Sequence, residues 1–242
     1  RVWGGAHLHR KPSFDQLCIH GKEVNNLDKV KLLSSAIKEN TTAENVSIDY
    51  MFTHVDLNQF EEFSTDYEEG YDEEKLLECI QRYREEVWKY LVDGLKCNKT
   101  ITSLGLHDNE LGLSLEDTEF VCDFLKHNKT IKKISLSYNK IGSEDTCKYL
   151  GDVIKHNKTL TSLNLRHNNI DSLGVKHICN ALKSNSTLTD LGLAYNEIDK
   201  SGFECIGKMI ESNSTLKELN IGYEEFDCVG IEKGFKDIVD GL

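Results

Sequence analysis

An α/β solenoid, in which short strands and short helices alternate along one open coil, is the fold class this sequence predicts. Three observations predict it. Five segments repeat one pattern of apolar residues: "NKTITSLGLHDNEL" from Asn98, "NKTIKKISLSYNKI" from Asn128, "NKTLTSLNLRHNNI" from Asn157, "NSTLTDLGLAYNEI" from Asn185 and "NSTLKELNIGYEEF" from Asn213. Their leading Asn residues stand 30, 29, 28 and 28 positions apart, and a constant step of this size marks a stack of equivalent units. Apolar residues also recur three and seven positions before each leading Asn, the i, i+4 stripe of a short amphipathic helix.

Taken in chain order, the first two units are weaker copies. "KPSFDQLCI" from Lys11 places Phe14, Leu17 and Ile19 at the three apolar offsets, and "NTTAENVSI" from Asn40 places Ala43, Val46 and Ile48 there. The step from 11 to 40 is 29, but that from 40 to 98 is 58, so this unit carries an insertion of about one repeat or hides a degenerate copy. The helix pairs are Leu33 and Ile37, Leu91 and Leu95, Val121 and Leu125, Leu150 and Ile154, Ile178 and Leu182, Ile206 and Ile210. Residues 1–242 therefore read as a single array, with units starting near 11, 40, 98, 128, 157, 185 and 213.

The insertion has its own chemistry. Residues 56–74 hold nine acidic residues and no Lys or Arg, so they account for −9 of the formal charge of −12. Like charges cannot pack against one another, which predicts a mobile surface loop able to steer a basic partner. An extended helix over about 73–96 follows, with Leu76, Leu77, Ile80, Val87, Leu91 and Leu95 as its expected apolar face.

Stacking gives the array its shape. Parallel strands sit about 4.8 Å apart whereas helix axes need about 8–10 Å, so the helix side splays and the strand side becomes concave. Asn109, Asn139, Asn168 and Asn196 fall in one column, where their amides can satisfy turn backbone groups that stacked coils would otherwise bury unpaired. Met51 and Glu224 occupy that column in outer units.

The pattern L-x-x-L-x-L-x-x-N-x-[LI], with a helix and a period of 28–29 residues, resembles the leucine-rich repeat of the ribonuclease-inhibitor-like class over roughly residues 11–242. The resemblance implies a horseshoe with a parallel sheet on the concave face and helices on the convex face. Similar units form the sensor arms of NOD-like receptors, the Ran GTPase-activating protein and bacterial effectors. It thereby implies a non-catalytic module that binds a protein partner through the concave strand face. Two alternatives accompany it: a regulator acting in trans on a GTPase, with Arg166 as the assisting residue, and a bacterial effector binding a host protein in the host cytoplasm.

Binding residues are sought where the strands do not serve the core. Two positions beyond the last core residue of each strand the column reads Tyr50, Asp108, Tyr138, His167, Tyr195 and Tyr223; the column before it includes His107 and Arg166. Tyr, His and Arg combine large contact area with a polar handle, as at the energetic centres of interfaces. The expected partner-binding set is Tyr50, His107, Asp108, Tyr138, Arg166, His167, Tyr195 and Tyr223. The plainer alternative is that a Tyr after the strand is tolerated by the repeat and packs on the turn.

Other signals are exclusions. The acidic balance and the lack of a Lys/Arg cluster argue against nucleic acid. No apolar run reaches the roughly 20 residues that span a bilayer, and the opening "RVWGGAHLHRKPSF" has no apolar signal-peptide region, so a cytoplasmic, monomeric protein is expected. Beginning at Arg1, the chain also reads as a possible fragment of something longer. Six of the seven Asn-x-Ser/Thr sequons are the helix-to-strand turn of the repeat and are taken as structural; Asn45 is the seventh. The eight Cys are expected to be free thiols, since Cys122, Cys147, Cys179 and Cys205 fall in helices. His7, His9, Cys18 and His20 have ligand chemistry but match no common zinc spacing. Nucleotide-, serine-hydrolase- and zinc-protease motifs are absent. No cofactor, metal or catalysis is expected.

Overall fold

The computed structural model describes residues 9–10, 16–52, 73–222 and 228–230. Its centre is one open sheet whose strands follow chain order: β1 (His9–Arg10), β2 (Gln16–His20), β3 (Asn45–Asp49), β4 (Ser103–Gly105), β5 (Lys133–Ser135), β6 (Ser162–Asn164), β7 (Asp190–Gly192), β8 (Glu218–Asn220) and β9 (Cys228–Gly230). Strands β2 to β8 are the seven repeat strands and pair in parallel, each with the next. β1 and β9 pair antiparallel at the two edges.

Register follows the repeat. Leu17, Val46, Leu104, Ile134, Leu163, Leu191 and Leu219 are matched across the sheet. From Val46 onward all of them are buried, as are Ile48, Leu106, Leu136, Leu165, Leu193 and Ile221 two residues later. One apolar residue in two on a strand buries one face only, which is why the opposite face is left polar. β3 pairs directly with β4, Val46 against Leu104. Among the described residues no strand of a hidden repeat stands between them in the sheet. Most of the acidic run, residues 53–72, lies outside the described residues.

Helices α1 (Leu27–Glu39), α2 (Glu73–Cys97), α3 (Leu115–His127), α4 (Glu144–His156), α5 (Ser172–Leu182) and α6 (Lys200–Ser212) form the second layer, each against the next. Their starts are fixed by side-chain caps: Ser114 accepts from Asp117 N at 3.3 Å, Ser143 from Thr146 N at 3.3 Å, and Asp171 from Gly174 N at 2.9 Å. Their ends are fixed by the leading Asn of the next unit. Asn157 accepts from Thr159 N and Leu160 N and donates to Leu125 O one coil back, at 2.8, 2.7 and 2.5 Å. Asn98, Asn185 and Asn213 make the same three-way bond. All four are buried. A sequon whose Asn amide is buried and fully hydrogen-bonded has no room for a glycan, in keeping with the structural reading.

The long helix α2 departs from expectation at its start. Leu77 is 60% exposed, and the buried stripe runs instead through Cys79, Tyr83, Val87, Trp88, Leu91, Val92 and Leu95. The aromatic and cysteine positions carry the packing there because the helix overshoots its own unit and leans on Phe52 and α3. Arg84 lies over the Phe52 ring at 4.4 Å and meets the buried carboxylate of Asp117 at 2.7 Å, while Phe52 packs on Trp88 at 5.7 Å. Arg84 also donates to Glu110 O at 2.8 Å. Each cysteine whose side chain is described is a free thiol. Burial pushes the thiols of Cys147 and Cys179 up to about 12, so they are inert core groups. Among the described residues no helix is long and apolar enough to cross a membrane.

Candidate functional site

The turn after each strand is the most regular feature of the polar side. Tyr50, Asp108, Tyr138, His167 and Tyr195 all adopt left-handed backbone, with φ of 60°, 51°, 61°, 54° and 56°. Simple strand alternation would turn these residues toward the core, because they share parity with the leucines. The left-handed turn reverses that and aims the side chains outward. Such a conformation costs a residue with a Cβ about 1 kcal/mol, and two sets of hydrogen bonds offset it.

The first set is backbone. Tyr50 N donates to His107 O, Asp108 N to Ser137 O, Tyr138 N to Arg166 O, His167 N to Ala194 O and Tyr195 N to Gly222 O, all at 3.1–3.2 Å. The second is the Asn column. Asn139 Oδ1 accepts from Asn109 N at 2.8 Å, Asn168 Oδ1 from Asn139 N at 2.9 Å, and Asn196 Oδ1 from Asn168 N at 3.0 Å. Their amides donate back to Leu106 O, Leu136 O and Leu165 O at 2.6–2.9 Å, and Asn109 serves Met51 N and Ile48 O likewise. Each Asn side chain thus bridges two coils. Close approach is required nearby: a Cβ on Gly112 would lie 2.0 Å from Lys140 O, and one on Gly142 2.2 Å from Asn169 O.

On this frame the rings stack. Tyr138 and His167 lie 4.1 Å apart between centroids at 11°, and His167 and Tyr195 4.2 Å apart at 9°. One ring per coil, at the strand spacing, makes a continuous aromatic ledge. Arg166 reaches the Tyr195 ring at 5.6 Å. Burial between the tyrosines, with Arg166 adjacent, holds the His167 pKa below its ordinary value, so the ring is neutral at pH 7. Asp108, Tyr138, Lys140, His167, Asn169 and Tyr195 line a depression of about 290 Å³ beside the ledge. Tyr138 is 51% exposed and Tyr50, at the far end, 42%. Tyr223 lies outside the described residues, as do Glu224 and His7.

His107 belongs to a second, polar depression of about 480 Å³ on the strand face, with Ser47, Gly105, Ser135 and Asn164. Its Nδ1 lies 2.6 Å from Ser137 Oγ and 3.2 Å from Ser135 Oγ. The nearby carboxylate of Asp49 accepts from Ser47 Oγ at 2.8 Å and from His107 N at 3.0 Å, and makes no bond to the imidazole. In a nucleophile–base–acid relay the carboxylate bonds the ring nitrogen, whereas here the bonds described run from the His107 ring to the two serine hydroxyls and from Asp49 to Ser47 and the His107 backbone. Of this grouping the sequence points to His107 alone; the serines Ser47, Ser135 and Ser137 are brought to it by strand register. A further depression, of about 750 Å³, lies on the helix side between α4 and α5 among charged residues such as Lys148, Asp152, Lys155 and His177. Among the described residues no group of His, Cys, Asp and Glu converges as a metal site.

Comparison with known proteins agrees with this architecture. The family described as "Leucine Rich repeat" matches residues 127–145, 156–179 and 184–207. No curated protein matches the sequence. Among solved structures the chain is similar to leiomodin-1 actin-binding site 2 (23% identity, TM-score 0.50, 62% of this chain and 83% of that one). It is also similar to the tropomodulin C-terminal domain of Caenorhabditis elegans (14% identity, TM-score 0.48, 59% and 82%). A third is the leucine-rich repeat-containing protein LegL7 of Legionella pneumophila (16% identity, TM-score 0.41, 82% and 62%). The three matched segments carry leucine-rich repeats, and the strand–helix coils with their Asn column continue the same repeat architecture through the other described units.

Proposed function

We propose that this protein is a non-catalytic interaction module that binds a protein partner along its strand face, centred on the ledge of Tyr138, His167 and Tyr195. The observation that carries the reading is the ledge itself. Three consecutive coils hold stacked rings outward on left-handed backbone, although none of these rings is needed to fill the core. A rigid ring array loses little conformational entropy when a partner covers it, which is what makes aromatic residues effective anchors. His107, Arg166, Asp108 and Tyr50 flank the ledge and would form its polar rim; Tyr223 extends the column in sequence. Free thiols and buried sequon amides support a reducing, cytoplasmic setting, and the charge of −12 disfavours nucleic acid as the partner. The module is proposed to act as a monomer.

The test is a peptide selected from a random library on the intact protein, with its affinity then measured against the double variant Tyr138→Asn with Tyr195→Asn. Asn tolerates left-handed backbone, so both rings are removed without new strain. Affinity should fall by about 2–4 kcal/mol, the range of interface anchors, with thermal unfolding nearly unchanged. Peptides that bind the double variant as tightly as the parent would place the binding surface elsewhere.

A further inference from the structure

The ring column has a gap. The coils of Tyr138, His167 and Tyr195 each contribute a ring to the ledge, and the coil of Tyr50 carries a ring at the equivalent position, but the coil between Tyr50 and Tyr138 carries Asp108. Its backbone is equivalent to theirs: φ is 51° against 60° and 61° on either side, and its N–H makes the same bond to the next coil at 3.1 Å. A carboxylate therefore takes the place of a ring in the column, and with Tyr138 and Lys140 it lines the depression of about 290 Å³ beside the ledge.

We propose that this space is a slot for a planar cation, and that the partner bound at the ledge inserts an arginine side chain there. The inference rests on the interface reading above and names what the partner must carry. Three observations support it. Asp108 is the uncompensated charge of the group: Glu110 is paired with Lys140 at 3.4 Å and Arg84 at 3.2 Å, and Asp117 with Arg84, whereas among the described residues no ion pair holds the Asp108 carboxylate. Neighbouring rings of the ledge stack at 4.1 and 4.2 Å, the thickness of one flat group, so a planar cation placed against Tyr138 would continue the same stack. And the protein itself uses this contact twice, with Arg84 over Phe52 and Arg166 over Tyr195. A guanidinium fits better than an ammonium, because it can stack flat on the ring while its N–H fork meets the carboxylate. The acidic balance of the chain would draw such a group in.

The experiment titrates the intact protein with Nα-acetylarginine amide and, separately, with Nα-acetylcitrulline amide, which keeps the planar shape and loses the charge. Ring resonances of Tyr138 in the aromatic NMR spectrum report binding. The arginine compound should shift them saturably, about tenfold more tightly than the citrulline compound, the size expected for one cation–π contact with a carboxylate. Asp108→Asn, which preserves a left-handed-tolerant side chain, should abolish that preference. Equal binding of the two compounds, or a preference untouched by Asp108→Asn, overturns the slot. The same substitution is then made in library-selected peptides. Peptides that need Tyr138 and Tyr195 yet keep full affinity when every Arg is changed to citrulline overturn the slot alone. Peptides insensitive to Tyr138 and Tyr195 overturn the interface reading as well.

Discussion

Asn168 shows how much a single residue does in a stacked fold. Its Oδ1 accepts from Asn139 N at 2.9 Å and Ile141 N at 3.3 Å, and its Nδ2 donates to Leu136 O at 2.9 Å, all without contact with solvent. Truncation would strand buried backbone groups on the neighbouring coil, at about 1–3 kcal/mol each. Asn168→Ala should therefore lower the free energy of urea unfolding by about 3 kcal/mol or more, and a loss below about 0.5 kcal/mol would show that the column bears no load. This column was legible in the sequence because Asn recurs at one offset among leucines. The outward aim of its neighbours was legible only as composition: the tyrosines and His167 could be picked out, but their left-handed backbone has no sequence mark, since Tyr and His are uncommon there. The stack follows from that backbone, so it could not be read before the structure.

At the scale of elements, the repeat pattern gives the seven strands β2 to β8 their register and the ordinary helices their inner stripe, from Leu33 and Ile37 in α1 to Ile206 in α6, where its partner Ile210 is only partly buried; the edge strands β1 and β9 lie outside the pattern. It misled where the period is broken. Residues before Val87 in α2 pack beyond their own unit, so Tyr83, Arg84 and Trp88 are buried where the periodic reading had chosen Leu77. The tie from α2 to α3 is a buried ion pair, Arg84 with Asp117, in which Asp117 Oδ1 has no hydrogen-bond partner. Burial raises the Asp117 carboxyl from 3.8 to about 6, against the pull of Arg84. The folded state then binds a proton more readily than the unfolded one. Its contribution is fully present below 3.8 and is lost as pH rises through about 6. Asp117→Asn has no such titration. Relative to that variant, the parent should gain stability, on the order of 3 kcal/mol, as pH is lowered from 7 to 4. Chemical denaturation of both proteins at each pH measures this, and a constant difference would mean that Asp117 keeps an ordinary carboxylate pKa in the fold.

For the whole molecule, the division of labour is between a leucine side and a polar side of one sheet. Helices cover the first, and antiparallel β1 and β9 flank the parallel run at its edges, where unpaired strands would otherwise invite association. Repeating the coil fixes the spacing between equivalent side chains, so a ring on each of three coils becomes a stack and a carboxylate on a fourth becomes a gap in it. This is how a solenoid turns sequence variation at one offset into a surface, with little effect on its core. The central claim is that a partner lies along that surface. Amide hydrogen exchange on the protein with and without a library-selected peptide tests it most directly. The account predicts slowed exchange in the strand-to-turn segments 103–109, 133–139, 162–168 and 190–196, with the amides of α3 to α6 unchanged. Protection confined to the helices, or to the acidic stretch between β3 and α2, would contradict it.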